Sequence, residues 1–209
     1  GSDVHIVDGV LSAPVLIGGA TMTVAGLGIG LRSMPIERIP SAGVLSAVFF
    51  VASTIHVSVG PSSVHLMMNG LAGLVLGWAV VPALFVGLLL QAVFFGFGGV
   101  TVLGVNTVIV VLPALATYHL CGPGLRRAAR REVAAIWGAV GGALSIALTA
   151  LTVATVLMLS GDMFAPVAQL VLLSHLPVMA VEAALTAAAV ALIWQVKPEV
   201  LIRPERTVG

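Results

Sequence analysis

Charge is what this chain has least of. Among 209 residues there are 8 Asp and Glu and 9 Lys and Arg, so charged side chains make up 8% of the sequence. An ordinary soluble domain carries about 25%, and a water-facing surface for a chain of this length cannot be built from so few. The net charge of +1 and the lack of a long basic stripe argue against electrostatic recognition of nucleic acid. The single cysteine, Cys121, excludes an internal disulfide and any metal cluster made of cysteine alone. The patterns G-x-x-x-x-G-K-[ST], G-x-S-x-G, H-E-x-x-H and C-x-x-C are all missing, and the glycine-rich stretch Gly96 to Gly104 has no lysine to hold a phosphate. If the chain serves uphill transport, ATP hydrolysis belongs to another chain. No cleavable signal peptide is expected, because His5 and Asp8 rather than basic residues precede the first apolar stretch. Gly1-Ser2-Asp3 reads as a leading extension without an initiator Met.

What is abundant is hydrocarbon. Hydrophobic residues make up 59% of the chain and the mean hydropathy is +1.18, which points to a bilayer as the solvent. Apolar runs extend over about Ser12–Leu31, Ala42–Val59, Val64–Val80, Ala83–Phe95, Val102–Leu120, Val133–Leu159 and Pro166–Val196. Only Val81-Pro82 divides the third from the fourth. Basic residues test the count, because cytoplasmic loops carry the excess of Lys and Arg. Arg32 and Arg38 follow the first run, Arg126, Arg127, Arg130 and Arg131 the fifth, and Lys197, Arg203 and Arg206 the seventh. Seven spans put all three clusters on one side; merging the third and fourth runs separates them. The expectation is therefore a single all-α, polytopic membrane domain of about seven helices, with the N-terminus outside and the C-terminus inside. Phe94 to Gly99 is too glycine-rich for a plain helix and is expected to be a loop or re-entrant bend.

The polar groups in this apolar setting are His5, Asp8, His56, His65, Asn69, Gln91, Asn106, His119, His175 and Glu182. Ionisable groups inside a membrane are costly and mark functional positions, and imidazole is a common ligand of Zn, Cu, Ni and Co. The expected topology puts His5, His56 and His65 near the outer face, and His119 at the inner end of the fifth run. His5 can chelate through its imidazole and its own deprotonated amide. A free amine one residue earlier would add another nitrogen, and four nitrogens in a plane suit Ni(II) or Cu(II) and accommodate Co(II). His5 can equally be a solvated tail residue. Ser62 or Ser63 is expected to cap a helix whose first turn holds His65. Asn69, at i+4, would then share that face and orient the imidazole; alternatively His65 sits at headgroup level. His56 reads as a ligand, a group that orients one, or an interfacial residue. His175 and Glu182 are two turns apart on one helix face, where they can form a relay, a metal site or a structural hydrogen-bond network. Gly70 and Gly141-Gly142 mark close helix contacts.

Four of these segments, in order, resemble one family. His5-Ile6-Val7-Asp8-Gly9-Val10-Leu11 is similar to the start of the CbiM/NikM proteins, the substrate-binding (S) components of energy-coupling factor (ECF) transporters for cobalt and nickel. Ser63-Val64-His65-Leu66 with Asn69-Gly70 resembles their histidine-bearing segment, and Gln91 to Asn106 resembles their central glycine-rich loop. His175-Leu176-Pro177 with Glu182 resembles their last-helix motif, more like the cobalt than the nickel branch. The resemblance implies one domain over residues 1–209, with a metal-binding segment at 1–11, a helix bundle at 12–196 and a cytoplasmic tail at 197–209. It implies a near-square-planar set of nitrogens from the terminal amine, the second residue's amide and imidazole, and one further histidine. Carried over, His5 and His65 are the metal ligands, Val4 adjoins them, and Asp8, His56, Asn69, Gln91, Asn106, His175 and Glu182 surround them. It also implies Co(II), or else Ni(II), as the transported substrate, no organic cofactor and no catalytic activity. The implied partners are a CbiN-like small membrane protein, a CbiQ-like coupling protein and a CbiO-like ATPase. The implied location is a bacterial or archaeal plasma membrane, with uptake feeding cobalamin synthesis.

One position departs from the pattern. The family has Met immediately before the histidine, and that Met supplies the amine. Here Val4 stands there, behind Gly1 to Asp3. The extension is expected to remove one ligand and weaken metal capture. Other readings stay open: nickel, which the Irving–Williams order favours over cobalt; an intramembrane metalloenzyme using His56, His65 and Glu182 around a bound water, which needs an open coordination position; and a scaffold subunit without metal.

Overall fold

The computed structural model describes residues 9, 11–59, 62–96, 98–161 and 165–202. In chain order these form α1 (Ala13–Arg32), a 3-10 turn (Ile36–Arg38), α2 (Ile39–Ala52), β1 (His56–Val59), β2 (Ser62–His65), α3 (Asn69–Leu76), a second 3-10 turn (Gly77–Ala79), α4 (Val80–Phe95), α5 (Leu103–Arg126), α6 (Arg131–Ser160), α7 (Ala165–Val196) and α8 (Glu199–Ile202). Among the described residues the architecture is all-α apart from one hairpin.

Proline and glycine set several boundaries. α1 and α2 each have Pro in the first two helical positions, where the missing N–H costs nothing. α4 ends at Gly96, whose φ of +67° suits glycine. Phe94 and Phe95, expected in the glycine-rich bend, instead close α4, and residues 98–102 lead into α5 at Leu103.

The apolar runs and the helices agree closely for α1, α6 and α7, while α5 continues past the expected Leu120 to Arg126. Among the described residues, five segments have the length and apolarity to cross a bilayer: Ala13–Arg32, Asn69–Phe95, Leu103–Arg126, Arg131–Ser160 and Ala165–Val196. Thus α3, its 3-10 turn and α4 count as one apolar stretch. With 14 and 8 residues, α2 and α3 rise only about 21 and 12 Å, less than the ~30 Å hydrocarbon core.

The second and third runs need correction. Residues 56–59 do not extend α2, and residues 62–65 do not open α3. They pair antiparallel, His56 opposite His65 and Val57 opposite Val64. Valines alternate with serines in this stretch, a period of two that favours a strand. Ser62 and Ser63 therefore cap no helix, and α3 starts only at Asn69.

Close approaches of small residues hold the bundle. A Cβ on Gly142 would lie 2.7 Å from the Glu182 carbonyl, and one on Gly138 would lie 2.9 Å from the Val190 side chain, so glycine lets the α6 backbone approach both the backbone and the side chains of α7. Gly70 packs against Ser145 and Gly141, as expected of these glycines, and Gly73 lies against the Ala114 carbonyl. α1 joins the bundle through Gly19 on Val105 and Gly104 on Ala20, with Thr23 Oγ1 donating to Gly104 O at 2.7 Å.

Contacts gather the basic residues at one end. Arg38 donates to Leu76 O at 3.1 Å, Trp78 meets the His119 ring at 6.2 Å, and Arg126 lies 5.3 Å from the Tyr118 ring centroid. Arg131 donates to Gln195 at 3.2 Å, and α8 packs on α5 and α7. His119 itself is exposed beside Tyr118, in keeping with an interfacial position.

Candidate functional site

At the end of β2 the chain leaves the hairpin and turns into α3. Leu66 N–H makes a last strand-like bond to Ile55 O at 3.0 Å. Met67 is fully buried, and Met68 adopts φ 55°, ψ 20°, a left-handed conformation uncommon outside glycine. Met68 is the N-cap of α3 and offers no side-chain cap, so the turn depends on partners from elsewhere.

Those partners come from α7. Glu182 is fully buried. Its Oε1 accepts the N–H of Met67 and, at 3.1 Å, that of Met68; its Oε2 lies 3.2 Å from the same Met68 nitrogen. Two successive amides converging on one anion form a nest, and a carboxylate at a helix N-terminus also complements the helix dipole.

His65 is 3% exposed, and its Nδ1 lies 2.9 Å from Leu66 O. A carbonyl can only accept, so Nδ1 carries the proton and Nε2 carries the lone pair in the neutral ring. That is the tautomer arrangement metal-bound histidines use. His56 lies across the hairpin, its ring centroid 6.2 Å from that of His65. It is exposed, with Nδ1 3.1 Å from Thr54 O. It lies on β1, not at the end of a second helix.

The other expected residues divide. His175 and Glu182 are both buried on one face of α7, as their spacing implies. His175 Nδ1 bonds to Val171 O at 2.7 Å, and Nε2 is buried without a hydrogen-bond partner among the described residues. Asn69 does not share a helix face with His65, because His65 is in a strand. Its amide nitrogen donates to Val110 O at 3.0 Å and to Thr149 Oγ1 at 3.2 Å, joining α3 to α5 and α6. Gln91 is buried and donates to Ser53 Oγ at the end of α2. Asn106 is buried in the first turn of α5. Val4, His5 and Asp8 lie outside the described residues. Among the described residues, no three His, Cys, Asp or Glu side chains converge to hold a metal.

Sequence reasoning missed the amides of Met67 and Met68, because backbone donors leave no signature. The metalloenzyme reading required Glu182 beside a metal-bound water. In the structure its oxygens accept hydrogen bonds from the Met67 and Met68 amides.

Fold and site together define a class: a multi-pass helical membrane protein with one buried imidazole on a loop pinned by an intramembrane carboxylate. The family model described as CbiM, cobalt uptake substrate-specific transmembrane region, matches residues 5–200. A putative metal transport protein of Haemophilus influenzae is 40% identical over 202 residues, covering 96% of this chain and 98% of that protein. The cobalt transport protein CbiM of Sorangium cellulosum is 32% identical over 182 residues, covering 78% and 76%. The fused nickel transport protein NikMN of Rhodobacter capsulatus is 33% identical over 139 residues, 62% of this chain and 40% of that longer protein. Crystal structures of a transition metal transporter, one of them truncated, share the fold. Their TM-scores are 0.70 and 0.71 at 22% identity, covering 91% and 93% of this chain and 98% and 94% of theirs. The chain belongs to the CbiM family, and is a membrane component of transition-metal uptake.

Proposed function

We propose that this chain is the metal-capturing S component of an ATP-driven ECF importer for Co(II). The observation that carries the reading is the state of His65: buried, on a loop, with Nδ1 committed to a carbonyl so that the lone pair sits on Nε2. In this reading the N-terminal segment completes the site, with the imidazole and amide of His5 beside Val4 and the His65 imidazole as the further ligand. The loop beneath His65 holds the imidazole still, and the apolar bundle around it excludes competing water.

Several further points belong to the same proposal. The chain acts as a single domain in a bacterial or archaeal plasma membrane. The grouping of Arg38, Arg126, Arg131 and α8 at one end supports placing that end in the cytoplasm. The N-terminus and the hairpin then face the side from which metal arrives. ATP hydrolysis, coupling and a small accessory subunit are supplied by CbiO-, CbiQ- and CbiN-like chains, and the cobalt serves cobalamin synthesis. Nickel is the second reading, favoured by the relative named for nickel and by the Irving–Williams order.

Competitive binding of Co(II) and Ni(II) to the purified full chain tests the proposal. One ion should bind and the His65→Ala variant should lose that binding by at least about 100-fold, the top of the range seen when a group orienting a ligand is lost. If neither ion binds the wild-type chain, or His65→Ala binds as well as wild type, the reading fails.

A further inference from the structure

The carboxylate of Glu182 is the one buried acid in the described bundle interior, and metal ligation by His5 and His65 gives it no task. Its hydrogen bonds supply one. Leu66 O and Met67 N–H belong to the same peptide group. That group is planar and trans, so its oxygen and its hydrogen point in opposite directions. The oxygen accepts the His65 Nδ1 proton at 2.9 Å. The N–H donates to Glu182 Oε1. Imidazole, peptide group and carboxylate therefore form one continuous line, and turning the peptide group over would break both bonds at once.

Three observations make this line a fixed device. The Met67 and Met68 amides have no other recourse, because β2 has ended and α3 has not begun. Glu182 itself cannot retreat: its backbone carbonyl lies against Gly142, with no room for a Cβ between them. Its second oxygen is within reach of the Met68 amide, which holds the left-handed turn that aims the Met67 N–H. Bonds in such a chain polarise one another. The carboxylate draws on the Met67 proton, the Leu66 oxygen becomes a stronger acceptor for the Nδ1 proton, and the lone pair on Nε2 becomes a better donor.

We infer that Glu182 is a positioning residue for metal capture, fixing the tautomer and ring orientation of His65 through the Leu66–Met67 peptide group. This rests on the reading of His65 as a metal ligand. The geometry asks for glutamate in particular. Aspartate is a methylene shorter and does not reach both amides. Glutamine keeps one carbonyl oxygen for Met67 but turns an NH₂ toward the Met68 N–H.

The test uses the full chain in lipid nanodiscs, with Co(II) and Ni(II) as probes. The readouts are affinity, the visible absorption bands of bound Co(II), and thermal stability. Glu182→Leu and Glu182→Asp should bind roughly 10–100-fold more weakly, as loss of a group that orients a metal-bound histidine does, with shifted Co(II) bands. Glu182→Gln should fall between them and wild type. A merely structural role would lower thermal stability while the folded fraction kept wild-type bands and affinity, and that result overturns the inference. Where Glu182→Leu does not fold, Glu182→Asp decides on the same readouts: weaker binding with shifted Co(II) bands supports the inference, and wild-type bands and affinity overturn it. If the wild type binds neither ion, the metal-capture reading fails first and takes this inference with it. Binding by wild type with equal binding by a folded Glu182→Leu removes the inference alone.

Discussion

Helices α1 and α3 invert the usual relation between length and importance. α1 has 20 residues and can cross a bilayer, yet only Gly19, Thr23 and Gly30 are buried. Ile17, Val24 and Leu31 are more than half exposed, as befits a face turned to lipid. α3 has 8 residues and cannot cross, yet seven of them are buried. It carries Asn69, whose amide joins α5 and α6, and its N-terminus holds the turn beneath His65. The difference shows what stabilises a bundle in hydrocarbon. Apolar side chains gain little there by leaving lipid for protein, so small residues and polar contacts hold helices together. α3 is rich in both, whereas α1 touches the bundle at two small-residue sites, around Gly19, Thr23 and Gly104 and at Gly30 against Trp78 and Pro82.

The contrast can be broken by substitution on each side of it, measured as thermal stability of the purified chain. The largest effect belongs to α3. In Gly73→Val the new Cβ would lie 2.2 Å from Ala114 O, and the variant should lose roughly 3 kcal/mol, the upper part of the usual cost of overpacking. Next is Asn69→Leu, which removes donors to Val110 O and Thr149 and should cost about 2 kcal/mol. On α1, Thr23→Val removes the bond to Gly104 O and should cost about 1 kcal/mol, loosening α1 without disturbing metal binding. The smallest effect is Gly28→Ala, where a Cβ meets nothing within 4 Å. It should be neutral or raise stability by about 0.5 kcal/mol, through the helix preference of alanine over glycine. A Gly28→Ala as damaging as Gly73→Val would erase the distinction between wall and core.

The sequence announced α1, α6 and α7 closely at both ends, because long uninterrupted hydropathy has no other solution in a membrane, while α5 continues past the expected Leu120 to Arg126. It also announced that His175 and Glu182 share a face, since helical spacing is rigid. It misled between residues 52 and 69, and the reason is averaging. Val57, Val59 and Val64 kept the mean hydropathy high enough to read as helix, while the alternation with Ser58 and Ser63 signalled a strand. The error moved Asn69 from a supposed partner of His65 to a tie between α5 and α6. The engagement of Glu182 by the Met67 and Met68 amides was out of reach in principle, because any residue but proline offers the same N–H. What the sequence did offer was an acid in an apolar stretch, and that acid is the group the Met67 and Met68 amides bind.

The bonds from Glu182 to Met68 span 114 positions of the chain. A growing polypeptide makes the His65 loop early and the residue that holds it near the end. Until α7 enters the membrane and docks on α6, the turn at Met68 has no acceptor for its amides and the imidazole has no fixed bearing. An incomplete chain therefore cannot present the finished loop, and insertion of the last long helix doubles as the step that arms it.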